Sequence, residues 1–173
     1  MQEFKSNENN LTNGEHVVIK ERGQLLSVEY EQLKKIKSLR LENQIIDYEL
    51  WRKISFMDNK LESLYFFNCN IDTDIYLCDV PYATKIGFIK CGLTCEKLNE
   101  ILHTLPSYSY IDVLDLSENK LGVNPELFME IMNDCYVLAK HFKTLILFDN
   151  GFDKKSILDI KNSCKDTTDK III

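Results

Sequence analysis

The segment Ile111-Asp112-Val113-Leu114-Asp115-Leu116-Ser117-Glu118-Asn119-Lys120-Leu121 decides how this chain is read. It fits the frame LxxLxLxxNxL, with apolar residues at positions one, four, six and eleven and an amide at nine. Sliding the frame along the chain places four more copies. Ile36, Leu39, Leu41, Gln44 and Ile46 form the first. Leu61, Leu64, Phe66, Cys69 and Ile71 form the second. Ala83, Ile86, Phe88, Cys91 and Leu93 form the third, Ile111 begins the fourth, and Phe142, Leu145, Leu147, Asn150 and Phe152 form the fifth. The fourth-position residues Leu39, Leu64, Ile86, Leu114 and Leu145 are spaced by 25, 22, 28 and 31 residues. Periodicity of this length predicts supersecondary units that bury their apolar faces by stacking.

Each position has a physical task. Positions four and six lie two apart, so both point inward from one strand. At position nine (Gln44, Cys69, Cys91, Asn119 or Asn150) the chain is expected to turn. Backbone groups inside the turn need partners. An amide supplies donors and an acceptor, and a thiol fills the same slot with weaker bonds. Position eleven, always Ile, Leu or Phe, is expected to return to the core.

Returning segments follow each strand. Asp47–Met57 predicts a helix with Leu50, Ile54 and Met57 on one face. Thr94–Leu105 predicts another, through Cys95, Leu98, Ile101, Leu102 and Leu105. Pro125–Phe142 is the longest, with proline suited to a first helical turn and Leu127, Phe128, Ile131, Met132, Cys135, Leu138 and Ala139 apolar. Asp153–Cys164 predicts a helix through Ile157, Leu158 and Ile160. Between Asp72 and Tyr82, with Pro81, an irregular or single-turn connection is expected. Val17-Val18-Ile19 predicts a capping strand, and Ser27–Lys35 a short helix. Ile171-Ile172-Ile173 predicts the strand of a truncated sixth turn. The expected organisation is a disordered N-terminus over 1–15, an N-terminal cap over 16–35, five repeats over 36–165 and a truncated repeat strand over 166–173.

The stretches LDLSENKLG, LESLYFFNCNI and IGFIKCGL resemble leucine-rich repeats of the ribonuclease-inhibitor-like subclass. The resemblance covers about Ile36 to Ile160. It implies an α/β solenoid with a parallel β-sheet on the concave side, helices on the convex side, and protein–protein binding as the activity. Ala83 in place of the first leucine and Gln44 in place of Asn or Cys depart from the pattern. Short, degenerate repeat proteins of this size and composition also resemble translocated effectors of intracellular bacteria.

Composition limits the function. The chain has 173 residues and a formal net charge of −6. An acidic surface repels phosphate backbones, which argues against nucleic-acid binding. No apolar run approaches the roughly 18 residues that span a bilayer, and MQEFKSNENN lacks the apolar stretch of a secretory signal. The six cysteines are read as reduced thiols in a cytoplasmic compartment, or in a host cytosol for an effector, with Cys69, Cys91, Cys95 and Cys135 on buried positions.

Positions three, five and seven are expected on the concave face. Position three reads Ser38, Ser63, Lys85, Val113 and Thr144. Position five reads Arg40, Tyr65, Gly87, Asp115 and Ile146. Position seven reads Glu42, Phe67, Ile89, Ser117 and Phe148. Strands about 4.8 Å apart would present a face roughly 20 Å across. Aromatic and apolar residues outside a core are favoured binding anchors. The expected partner-binding set is therefore Tyr65, Phe67, Ile89, Ile146 and Phe148, with Arg40, Lys85 and Asp115 giving orientation. The competing expectation is that the N-terminal segment or a second copy covers them. Neither a catalytic residue nor a metal or other cofactor is expected. Cys91 and Cys95 have no second matching pair for zinc. Asn68, Asn70, Asp72, Asp74 and Asp79 lack the turn glycine and bidentate glutamate of a calcium loop. Cys164-Lys165-Asp166 resembles the Cys-x-Asp of a bacterial ubiquitin-ligase family, whose catalytic module needs a separate helical domain. Trp51 is read as packing. The leading expectation is a non-enzymatic binding module; the alternative is an intracellular structural or regulatory adaptor acting through self-association.

Overall fold

The computed structural model describes residues 15–55, 57, 61–72, 83–105 and 110–173. The expectations for residues 1–14, for the connection over 73–82 and for Asp74 and Asp79 lie outside the described residues.

The fold is α/β, built on one parallel sheet of seven strands: β1 (His16–Ile19), β2 (Ser38–Glu42), β4 (Leu61–Phe67), β6 (Ala83–Ile89), β7 (Tyr110–Asp115), β8 (His141–Ile146) and β9 (Thr168–Ile172). Their order in the sheet follows their order in the chain. The register keeps the frame. Leu39 pairs with Leu64, Leu64 with Ile86, Ile86 with Leu114, Leu114 with Leu145, and Leu145 with Ile171. Two-residue strands β3 (Ile45–Ile46) and β5 (Asn70–Ile71) form a second small parallel pair. Helices α1 (Arg22–Leu26), α2 (Tyr30–Leu33), α3 (Tyr48–Ser55), α4 (Cys95–Thr104), α5 (Pro125–Val137) and α6 (Lys154–Ser163) occupy the connections. Parallel crossovers are right-handed. A strand order that never reverses therefore stacks the helices on one side of the sheet, against positions four and six.

The reason the chain turns where it does is local. The eighth-position residues Asn43, Asn68, Lys90, Glu118 and Asp149 all adopt left-handed φ values between 51° and 57°. That bend ends each strand and aims the ninth side chain inward. Asn119 Nδ2 donates to the carbonyls of Phe88, Leu116 and Ser117, while its Oδ1 accepts from the backbone N–H groups of Cys91 and Leu93. Asn150 repeats this one strand later, donating to Leu116, Leu147 and Phe148 and accepting from Leu121. The thiols do less. Cys69 donates to Leu41 and Phe67, and Cys91 to Phe66 and Ile89, at 3.4–3.5 Å. Gln44 Nε2 donates to the carbonyl of Glu42, its one side-chain bond among the described residues. At the first two copies the residues after the turn pair through backbone instead, Asn70 N–H donating to Gln44 O and Asp72 N–H to Ile46 O.

Helix starts are equally local. Asp47, Thr94, Asn124 and Asp153 each precede a helix, and each side chain accepts from the backbone N–H three residues on. Pro125 occupies the first turn of α5. A hydrophobic core runs unbroken from Val17 to Cys164. Inside it Trp51 stacks on Phe66 and Phe66 on Phe88, with centroids 5.4 and 5.0 Å apart. Trp51 is thus a packing residue, wholly buried. Among the described residues no helix is long and apolar enough to cross a membrane.

Several expectations are corrected. The helix after Pro125 stops at Val137, not Phe142. Ala139 takes a left-handed φ of 52°, its N–H donates to Tyr136 O, and Lys140 N–H donates to Cys135 O. This pair of bonds closes a helix without glycine. It leaves Leu138 half-buried and Ala139 exposed, and frees His141 to begin β8. Lys140 is buried, and its Nζ donates to Leu102 O near the end of α4, where a cation suits the helix dipole. The segment Ser27–Lys35 is not one helix. Ser27 ends α1, and α2 is a separate turn. On α6 only Ile160 is fully buried; Ile157 is half-buried and Leu158 is 60% exposed. Phe152 and Cys91 are half-buried, whereas Cys164 is a core residue.

Cys69, Cys91, Cys95, Cys135 and Cys164 are free thiols. Burial pushes Cys91 and Cys164 up to about 12, and Cys95 and Cys135 up to about 11. An acid whose native value is raised is neutral in both states below its ordinary value, and the unfolded chain ionises first above it. The thiols' contribution to unfolding free energy should therefore be constant below about pH 8 and fall as the pH passes 9 towards 12, as urea titrations at stepped alkaline pH would show. Asn119→Ala should cost at least about 3 kcal/mol by the same method, since it strands several buried backbone groups. Asn119→Cys should cost less, because a thiol already serves that position in Cys69 and Cys91.

Candidate functional site

The sheet face opposite the helices is built from positions three, five and seven, and the register brings the expected residues together on it. Arg40 pairs with Tyr65, Tyr65 with Gly87, Gly87 with Asp115, and Asp115 with Ile146. One step along the strands, Glu42 pairs with Phe67 and Phe67 with Ile89. Phe148 continues that row at the far side, where its carbonyl accepts from Glu118 N–H. Lys85 lies in the third-position row, beside Ser63 and Val113.

Exposure differs from the simple expectation. Phe148 is 47% exposed, but Tyr65, Phe67, Ile89 and Ile146 are half-buried by one another and by their neighbours. Ser38, Gly87 and Ser117 are buried. The tyrosine explains much of this. Its ring lies flat across Gly87, so that a Cβ built on that glycine would fall 2.2 Å from Tyr65 Cδ1. Burial raises the Tyr65 phenol above its ordinary range; the nearby Asp115 carboxylate adds to the shift and Arg40 opposes it. The phenol therefore sits within the fields of both charges.

Those charges already have partners. Arg40 Nε donates to Glu42 Oε1 at 2.6 Å, and its guanidinium carbon lies 4.7 Å from the Phe67 ring centroid. This pair holds the arginine against the face, with a cation–π contact of roughly 0.5–2 kcal/mol at this half-buried site. Asp115 Oδ1 accepts from both the N–H and the hydroxyl of Ser117, which fixes it at the end of β7. Lys85 is exposed and makes no ion pair among the described residues. Of the three expected orienting charges, Lys85 alone projects freely.

Comparison with protein-family models and with curated proteins finds no match for the chain. The site rests on its own geometry. Among the described residues no group of three or more His, Cys, Asp or Glu side chains could hold a metal ion. His141 Nε2 lies 3.0 Å from Asp169 Oδ1 and its ring stacks on Tyr110, a cross-strand cluster at the opposite strand ends.

The residue whose role sequence reasoning missed is Gly87. The available signal was a glycine at position five between two large or charged residues, and it marks where a neighbouring side chain lies down. Gly87→Ala should lift the Tyr65 ring into solvent and cost about 1–3 kcal/mol through overpacking. An alkaline absorbance titration, read against Tyr65→Phe to assign the phenol, should show the raised Tyr65 value returning towards 10. An unchanged titration would remove the ring-over-glycine geometry.

Proposed function

We propose that the chain is a leucine-rich-repeat solenoid of the ribonuclease-inhibitor-like subclass, and that its open sheet face, concave in that architecture, docks a protein partner without catalysis. The observation that carries this reading is the gathering of Tyr65, Phe67, Ile89, Ile146 and Phe148 on one sheet face by an unbroken register. The sequential strand order and the helices returning behind it support the solenoid. The five apolar residues form two groups, Tyr65, Phe67 and Ile89 on β4 and β6, and Ile146 and Phe148 beyond Asp115 of β7. Apolar side chains outside a core cost solubility unless something covers them, and aromatic side chains are the commonest anchors of protein interfaces. Arg40, Lys85 and Asp115 surround these anchors and supply register rather than bulk affinity.

The test is the triple variant Tyr65→Ser, Phe67→Ser, Phe148→Ser in the full chain, with circular dichroism to establish that it folds. A partner captured by the unsubstituted chain should bind the variant at least tenfold more weakly. Undiminished binding would move the interface elsewhere. Light scattering on both proteins addresses the self-association alternative, which requires a dimer that the triple variant dissociates.

A further inference from the structure

A pocket of about 120 Å³ opens on the β2 side of the face, between Arg40 and the reclining Tyr65 ring. Val17, Ser38, Leu39, Ser63 and Ile89 complete its lining. Its donors are unspent. Ser38 and Ser63 pair in register, so their side chains stand side by side. Neither hydroxyl has a hydrogen-bond partner among the described residues, although Ser38 is only 8% exposed. Arg40 uses Nε on Glu42, and its two Nη groups make no further hydrogen bond among the described residues. The same row carries His16 beside Ser38 and Lys85 beside Ser63. Lys85 thus adds a positive charge on one flank of the two hydroxyls, in a chain whose net charge is −6.

Three of the nearby anions are engaged: Glu42 with Arg40, Glu15 with Lys37 at 2.7 Å, and Asp115 with Ser117. Glu62, near the start of β4, is exposed to solvent. A small pocket with apolar walls and a few convergent donors is the usual form of a recognition site. Arg40 Nη can only donate and both hydroxyls can turn to donate, so an acceptor satisfies all three at once, and the charges of Arg40 and Lys85 favour a negative one.

Resting on the docking reading above, we infer that this pocket receives the carboxylate of an Asp or Glu side chain of the partner protein, with an adjoining apolar residue laid on Phe67 and Ile89. The carboxylate accepts from the Ser38 and Ser63 hydroxyls and from Arg40 Nη. The Tyr65 ring and Ile89 pack its aliphatic stem, as apolar surface does for other amphipathic side chains. Glu42 already offsets Arg40, so the pocket suits one negative charge better than the nearly two of a phosphate monoester.

The experiment selects a phage-displayed random dodecapeptide library on the immobilised full chain and resynthesises the enriched peptides. Acidic residues should concentrate at one position next to an aromatic or aliphatic residue. Exchange of that residue for Gln or Asn should weaken binding at least tenfold. So should Arg40→Gln or Ser63→Ala in the protein, two conservative variants checked by thermal melting. Ser63→Ala alone suffices if Arg40→Gln melts early. A phosphoserine peptide that binds tenfold tighter than the acidic one would overturn the carboxylate assignment. Peptides that depend on Phe67 but ignore Arg40, Ser63 and their own acidic residue would overturn the pocket while leaving the docking face standing. Failure to select any peptide, or peptides indifferent to Phe67→Ser as well, would overturn both.

Discussion

Each of the five framed strands ends in a turn whose carbonyl groups need donors, and the ninth side chain of each frame supplies them. The bonds reach backwards to the sixth-position carbonyl of the preceding copy: Cys69 to Leu41, Cys91 to Phe66, Asn119 to Phe88 and Asn150 to Leu116. One side chain therefore closes its own turn and fixes the distance to its neighbour. An unmet buried acceptor is costly, so copies that satisfy one another in this way stay in register along the sheet. The left-handed residue at position eight makes the arrangement possible, and it is a non-glycine residue in all five copies. Asparagine tolerates that conformation best. Lys90, Glu118 and Asp149 adopt it because the bonds on either side hold them there.

The core follows from the same spacing. Where copies are short, aromatic residues fill the gap between sheet and helices: Trp51 of α3 stacks on Phe66, and Phe66 on Phe88. Where the connection is long, α5 supplies Phe128, Ile131, Met132 and Cys135, and Phe128 meets Phe152 at 5.4 Å. Uneven repeat lengths are thus absorbed on the helical side, while the strand pairing never shifts.

Constancy of register is also what makes the opposite face a surface rather than a scatter of side chains. Residues 22 to 31 positions apart in the chain become neighbours in a row. Once in a row they modify each other. Gly87 lets Tyr65 lie down, Tyr65 then stands off from Arg40, and the space between them becomes the pocket over Ser38 and Ser63. None of these residues defines the pocket alone.

The sequence by itself determined that positions four and six of each frame face the core and which positions share the open face. A period-two strand inside a fixed frame leaves no freedom in those two assignments. It also carried the helix starts, because Asp47, Thr94, Asn124 and Asp153 act on their own first turns. Tertiary structure decided the end of α5, where Ala139 closes the helix through bonds that no propensity scale assigns to alanine. It decided which apolar face residues are open, leaving Phe148 exposed and Tyr65 half-buried. It also decided which charges are spent, Arg40 on Glu42 and Asp115 on Ser117, and which stands free, Lys85. Those outcomes depend on side-chain directions and cross-strand distances, and linear order constrains neither.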